Sequence, residues 1–187
     1  TYVAPQQVHP GATTKDGPAV IKCIVKAAPS KSTIVGVDVI GVGSSPVDFS
    51  KATFKTLPLN GSKKSEAKAK NANDQAQQST LGFFNSRSQW YWQLREALDP
   101  ASGLDIALPY DAELKTELTA FKWEMSVKGI RVQSKDDPEL RLRLGRSPDK
   151  SDSLVYAFAQ VVIPGKGLLE WMQHEYESII DKQHKKD

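Results

Sequence analysis

Cysteine is nearly absent from this chain: Cys23 stands alone. One cysteine excludes an internal disulfide and suits a reducing compartment. With no histidine or second cysteine close by in sequence, it reads as a packing residue. Histidine is almost as scarce. His9, His174 and His184 are scattered, and no two have zinc-ligand spacing. Any bound metal would therefore need oxygen ligands, which selects magnesium, manganese or calcium. Long apolar runs are missing as well. The longest, residues 154–163, falls short of the roughly 20 residues that span a bilayer, and no signal-peptide pattern follows Thr1. A large charge of one sign is also lacking. With 25 Lys and Arg against 22 Asp and Glu, the net charge is +3. Bulk charge thus makes no case for nucleic acid, and any basic footprint must be local. Gly41-Val42-Gly43 begins like a dinucleotide fingerprint, but the third glycine position falls at Pro46. A Gly-Lys-Ser/Thr phosphate loop is absent too. There are no internal repeats.

What remains is a globular composition: 187 residues, 25% charged and 39% hydrophobic. That is enough for one domain with its own core, taken here as residues 1–187. Residues 1–12 are loop-like. Thr14 or Asp16 caps a helix that has Pro18 in its first turn and apolar residues at helical spacing through Ala28. Residues 33–40 are β-branched and nearly all apolar, which predicts a strand buried on both faces. A short helix at 47–51 and a strand at 54–59 follow, which is α/β grammar. Residues 60–80 are poor in large apolar side chains and read as an exposed loop. A helix from about 85 to 98 should bury Tyr91, Leu94, Leu98 and Trp90 or Trp92. A strand at 106–108, a helix capped by Asp111, a hairpin turning at Lys128-Gly129 and a helix at 138–144 complete the middle of the chain. Ser147-Pro148 opens a further helix. The tail, 164–187, is helical by pattern.

Two carboxylates stand out. Asp38 lies inside an otherwise apolar strand, where a charge is costly unless paired or metal-bound. It is either functional, at an exposed strand edge, or paired with a buried base. Asp152 lies in the first turn of the Ser147-Pro148 helix, three residues after Asp149. Acids there offset the helix dipole and need no other purpose. Yet Leu154, Val155, Phe158, Ala159 and Val162 behind Asp152 make a firmly packed helix, able to hold it against the sheet near Asp38. Two carboxylates converging without histidine form a magnesium-type arrangement, whose usual chemistry is phosphoryl transfer. Basic residues supply a third ingredient. Lys122, Lys128, Arg131 and Lys135 gather on and after the hairpin, and Arg141, Arg143 and Arg146 follow. They are either a phosphate-backbone contact or a solvated face interleaved with Glu124, Asp136, Asp137 and Glu139.

Four ordered blocks sharpen this: VDVIGVGSS at 37–45, FNSRSQWYWQLR at 84–95, SKDD at 134–137 and LGRSPDKSDSL at 144–154. Together they resemble the C-terminal nuclease domain of the large terminase subunit of tailed bacteriophages. The resemblance spans roughly residues 14–158, and the last block is its most specific part. It implies a ribonuclease-H-like fold, a mixed central β-sheet flanked by α-helices. It implies a metal-dependent endonuclease that cuts concatemeric viral DNA in a packaging motor, using Mg2+ or Mn2+ in a two-metal site. Asp38 matches the second acidic position of the family and Asp152 the acid on its C-terminal helix, so both would be catalytic metal ligands. Asp149 matches a nearby aspartate, a further candidate metal ligand. Lys128, Arg131, Lys135 and Arg146 would contact DNA.

Such domains normally open with a strand bearing a first metal-binding aspartate. No residue here fills that position, since Asp16 sits at a helix start. The sheet is therefore expected to lack its first strand or strands, and activity of this chain by itself is an open expectation. The implied partners are double-stranded DNA, the portal protein and the small terminase subunit. No membrane is involved, the isolated domain would be monomeric, and the setting would be the host bacterial cytoplasm. Two alternatives stay open: a resolvase- or transposase-type nuclease of the same fold, and a catalytically incomplete docking domain for portal or other packaging proteins.

Overall fold

The computed structural model describes residues 2–40, 44–67, 69 and 81–159. The elements are α1 (Gly17–Ala27), β1 (Ile34–Asp38), α2 (Ser44–Lys51), β2 (Lys55–Leu59), α3 (Ser86–Ala97), α4 (Ala112–Ala120), β3 (Trp123–Ser126), β4 (Gly129–Val132), α5 (Pro138–Leu144) and α6 (Asp149–Ala159). Four helices begin on an Asx side chain that accepts from free backbone N–H groups one or two residues inside the helix. Asp16 takes Ala19, Asn85 takes Ser88, Asp111 takes Glu113 and Leu114, and Asp137 takes Glu139 and Leu140. Each such cap is worth about 1 kcal/mol. The caps explain why helix starts are legible in this sequence.

β1 runs parallel to β2, from Ile34 opposite Lys55 to Asp38 opposite Leu59. One more bond, from Val39 N–H to the Leu59 carbonyl, extends the ladder past Asp38. β3 and β4 form an antiparallel hairpin. Among the described residues these are two separate two-stranded sheets, not one continuous mixed sheet. The strand expected at 106–108 shrinks to a single bridge between Tyr2 and Ala107. Pro5 and Pro109 stand close to that bridge, and neither can donate to a ladder. β1 also departs from expectation. Val35 is buried, but Ile34 is 44% exposed and residues 36–38 are only half-buried, because α2 and α6 cover the strand in part.

The core lies where α3, α4, α6 and β4 meet. Leu94, Leu114, Val132, Leu154 and Val155 are buried together, with Tyr91 and Tyr156 among them. Burying a side chain such as Val155 contributes about 1.5–3 kcal/mol. α3 is the central helix: α6 packs on it from one direction and β4 from another. Of the predicted α3 face, Tyr91 and Leu94 are buried. Leu98, Trp90 and Trp92 are partly so, and Arg87 and Ser88 join the buried set.

The described part of the 60–80 loop is less exposed than predicted: Gly61, Ser65 and Ala69 are buried. Its backbone is tied to the start of α3, the Gly61 carbonyl accepting from Arg87 N–H and the Lys63 carbonyl from Ser86 N–H. Residues 68 and 70–80, the Gly41-Val42-Gly43 turn and the tail from 160 lie outside the described residues.

The hairpin turns at Val127-Lys128, and Gly129 already belongs to β4. Gly129 has φ +111°, a region that L side chains rarely adopt. A Cβ there would stand 2.1 Å from the Gly82 carbonyl oxygen, because the 82–84 segment bonds directly alongside β4. Gly129→Ala should therefore destabilise the protein by about 3 kcal/mol. Urea unfolding followed by tryptophan fluorescence measures this, and a loss below about 0.5 kcal/mol would contradict the packing described.

Candidate active site

Asp38 ends β1, at the carboxyl edge of a parallel pair, where open α/β sheets characteristically place ligands. Its Oδ1 accepts from Ile40 N–H at 2.9 Å, which turns the chain just after the strand. α6 packs against β1 and carries Asp152 in its first turn.

Asp152 is only 8% exposed, and its charge is met by a base. Arg87, itself 9% exposed, points Nε and Nη2 at Asp152 Oδ1, at 3.2 and 3.0 Å. The third guanidinium nitrogen, Nη1, donates to the Gln133 carbonyl at 2.8 Å. The Tyr91 hydroxyl donates to the same Oδ1 at 2.6 Å. Arg87 also lies over the Tyr91 ring, 4.4 Å from its centroid. Among the described residues no hydrogen bond reaches Asp152 Oδ2. That oxygen remains available to a ligand.

Tyr156, one turn after Asp152, connects the two carboxylates. Burial, and then the charges of Asp38 and Asp152, push its hydroxyl well above the ordinary phenol range, and it bonds to Asp38. Tyr91 is likewise held protonated. Burial is the main cause, the Arg87 charge opposes it, and the Asp152 charge adds to it. Both phenols thus act as neutral donors to carboxylates. Arg87, Tyr156, Gly61, Ile40 and Lys135 all line one cleft of about 240 Å³, which Arg131 and Phe84 also border.

The start of α6 is anchored from α4. Glu117 is fully buried; it pairs with Arg146 and accepts from Ser151 N–H at 2.7 Å. Arg146 also pairs with Glu113 at 2.8 Å, and Lys150 bridges Asp111 at 2.6 Å and Glu113 at 2.7 Å. The bond from Lys150 is the main cause holding the Asp111 carboxyl below its usual range, and the Asp111 bond likewise raises Lys150. A depressed acid contributes stability above its unfolded pKa of about 4 and loses it as pH falls through the folded value. Asn caps as well as Asp does, so Asp111→Asn removes mainly the ion pair. It should lower the melting temperature at pH 7, and the gap from the unsubstituted protein should close by about pH 3. Thermal melts across that range check this; a gap that persists in acid would assign the effect to the cap instead.

No family profile and no curated protein sequence matches the chain. In structure it is similar to the nuclease domain of the large terminase subunit gp2 of bacterial virus Sf6, solved as a point mutant with manganese. The two are 21% identical, the match covers 76% of this chain and 70% of that one, and the TM-score is 0.52. The chain has the fold of a phage terminase nuclease domain. This is the ribonuclease-H-like architecture that the four sequence blocks imply.

Within the terminase-nuclease fold the predicted site residues separate. Asp38 and Asp152 come together around Tyr156. Asp149 is exposed at the start of α6, and its charge acts on Arg146. Among the described residues, no three His, Cys, Asp or Glu side chains gather in a metal-binding cluster. Lys128 and Arg131 both lie over the Phe84 ring, at 5.4 and 4.8 Å, and Arg131 also pairs with Glu124. Arg131 and Lys135 reach the cleft, whereas the Arg146 guanidinium is taken up by Glu113 and Glu117. Nothing in local pattern singles out Arg87, Tyr91, Tyr156 or Glu117. Arg87 and Tyr91 do lie inside the FNSRSQWYWQLR block, and that was the available signal.

Proposed function

We propose that this chain is the divalent-metal-dependent DNA endonuclease domain of a phage DNA-packaging motor. The observation that carries the reading is the pair Asp38 and Asp152, both acting on one Tyr156 hydroxyl at the carboxyl end of β1, in a terminase-nuclease fold. The donor chemistry fits a hard cation. All the candidate ligands are oxygens, Asp152 presents an Oδ2 with no hydrogen bond among the described residues, and no histidine takes part. Mg2+ or Mn2+ commonly binds through one or two carboxylates together with water and phosphate oxygens. When bound, such ions activate water and stabilise the leaving oxygen of a phosphodiester.

The chain's own residues would prepare that step. Asp38 and Asp152 would hold the metal, with Asp149 a further candidate ligand from the same helix turn. Arg87 and Tyr91 fix Asp152 through Oδ1 and leave Oδ2 to face the cleft. Lys128, Arg131 and Lys135 would position the DNA backbone along that cleft. Arg146, the fourth basic candidate, is already bound into the anchor of α6. Concatemeric double-stranded viral DNA would be the substrate. The portal protein and the small terminase subunit would be partners, and the host bacterial cytoplasm the setting.

The protein incubated with supercoiled plasmid and manganese should yield nicked and linear DNA, and EDTA should stop the reaction. Cutting that persists in EDTA, or no cutting in manganese or magnesium, would overturn the proposal.

A further inference from the structure

We infer that Tyr156 is a positioning residue for the carboxylate pair: its hydroxyl donates to Asp38 and holds that carboxylate turned towards Asp152. This rests on the nuclease reading of the site and adds a residue to it.

The two carboxylates are held in different ways. Asp152 has a buried guanidinium and a phenol on one oxygen. Asp38 has no ion pair among the described residues. Its partners there are the N–H of Ile40, on its own chain segment, and the Tyr156 hydroxyl. A half-buried carboxylate facing another carboxylate is driven apart by like charge and drawn towards water. A neutral phenol can restrain it without adding positive charge. An arginine in the same place would compete with a cation for the oxygens.

Tyr156 is built for this. It is 9% exposed, and its ring meets Trp90 edge-on, with centroids 5.4 Å apart and planes at 89°. Its position four residues after Asp152 fixes it on the same face of α6. From outside, Gly61 closes over the hydroxyl: a Cβ there would stand 3.0 Å from the Tyr156 oxygen and 3.1 Å from Arg87 Cβ. The burial that keeps the phenol protonated also keeps it a donor.

The experiment is direct manganese binding by the whole chain, read from the electron paramagnetic resonance signal of the free ion. Removing an outer-shell partner of a metal ligand typically weakens metal binding 10–100-fold. Tyr156→Phe keeps the Trp90 packing and should weaken manganese binding about tenfold. The manganese concentration giving half-maximal plasmid cutting should rise by a similar factor, with a smaller effect on the maximal rate. In an Asp38→Asn background the same substitution should add no further loss, because the phenol acts through Asp38. Gly61→Ala, which presses on the hydroxyl while leaving it in place, should weaken binding in the same direction. Unchanged affinity in both Tyr156→Phe and Gly61→Ala overturns the inference, as does an equal loss with and without Asp38. Failure of the unsubstituted protein to take up manganese would instead overturn the nuclease reading beneath it.

Discussion

Asp38→Asn should abolish manganese-dependent plasmid cutting while leaving the fold intact. The substitution keeps the shape of the side chain and an oxygen able to accept from Ile40 N–H, so the turn after β1 survives. What disappears is the charge. Asp38 and Asp152 both bear on the Tyr156 hydroxyl, so in metal-free protein they repel one another. Removing one charge should leave the melting temperature in EDTA unchanged or slightly higher. The nicking rate should respond very differently. Losing one of two carboxylate ligands removes several kcal/mol of transition-state stabilisation, and each 1.36 kcal/mol is about tenfold in rate. A fall of about 1,000-fold or more is expected. Nicking by Asp38→Asn at a rate close to that of the unsubstituted protein would sink the assignment. A collapsed melt would show that Asp38 is structural.

Arg87→Met tests the other half of the site, and its effect should be on stability. The guanidinium is the base that meets the buried Asp152 charge, and it also lies over the Tyr91 and Phe121 rings. Methionine keeps much of the apolar stem and leaves Asp152 with one phenol and no counter-charge. Breaking a buried pair from one side typically costs about 3–5 kcal/mol, because the remaining charge stays desolvated. Urea unfolding should register a loss of that size. Arg87→Lys should recover only part of it. One ammonium cannot send two donors to Asp152 Oδ1 and a third to the Gln133 carbonyl. The double variant Arg87→Met with Asp152→Leu should regain most of the stability and none of the cutting. If Arg87→Met alone is no less stable than the starting protein, the pair is not buried as described.

The Arg87–Asp152 pair also resolves an alternative that the sequence leaves open for the wrong residue. A carboxylate in an apolar strand is expected to be exposed, functional or paired with a buried base, and that description applies to Asp38. The buried base belongs to Asp152, whose place in a helix first turn would have been explained by the dipole alone. Asp38 carries no ion pair among the described residues and takes a phenol instead. The helix-dipole account of Asp152 is not wrong, but it is too small. An exposed acid in a first turn gains about 0.3–1 kcal/mol, less than the cost of breaking a buried pair.

What the sequence determined by itself is local. Asp16, Asn85, Asp111 and Asp137 start their helices by bonding to N–H groups two or three residues ahead, so no distant partner is needed. Gly145 ends α5 in the left-handed region for the same local reason. The order of ten elements and the two anomalous aspartates are readable at that range. Only the tertiary structure decided what the aspartates face. Arg87 and Asp152 are 65 residues apart in the chain, and Asp38 reaches Tyr156 only because α6 packs on β1. Side-chain charge is visible in a sequence. Its burial, and the partner that makes burial tolerable, are properties of the packed chain.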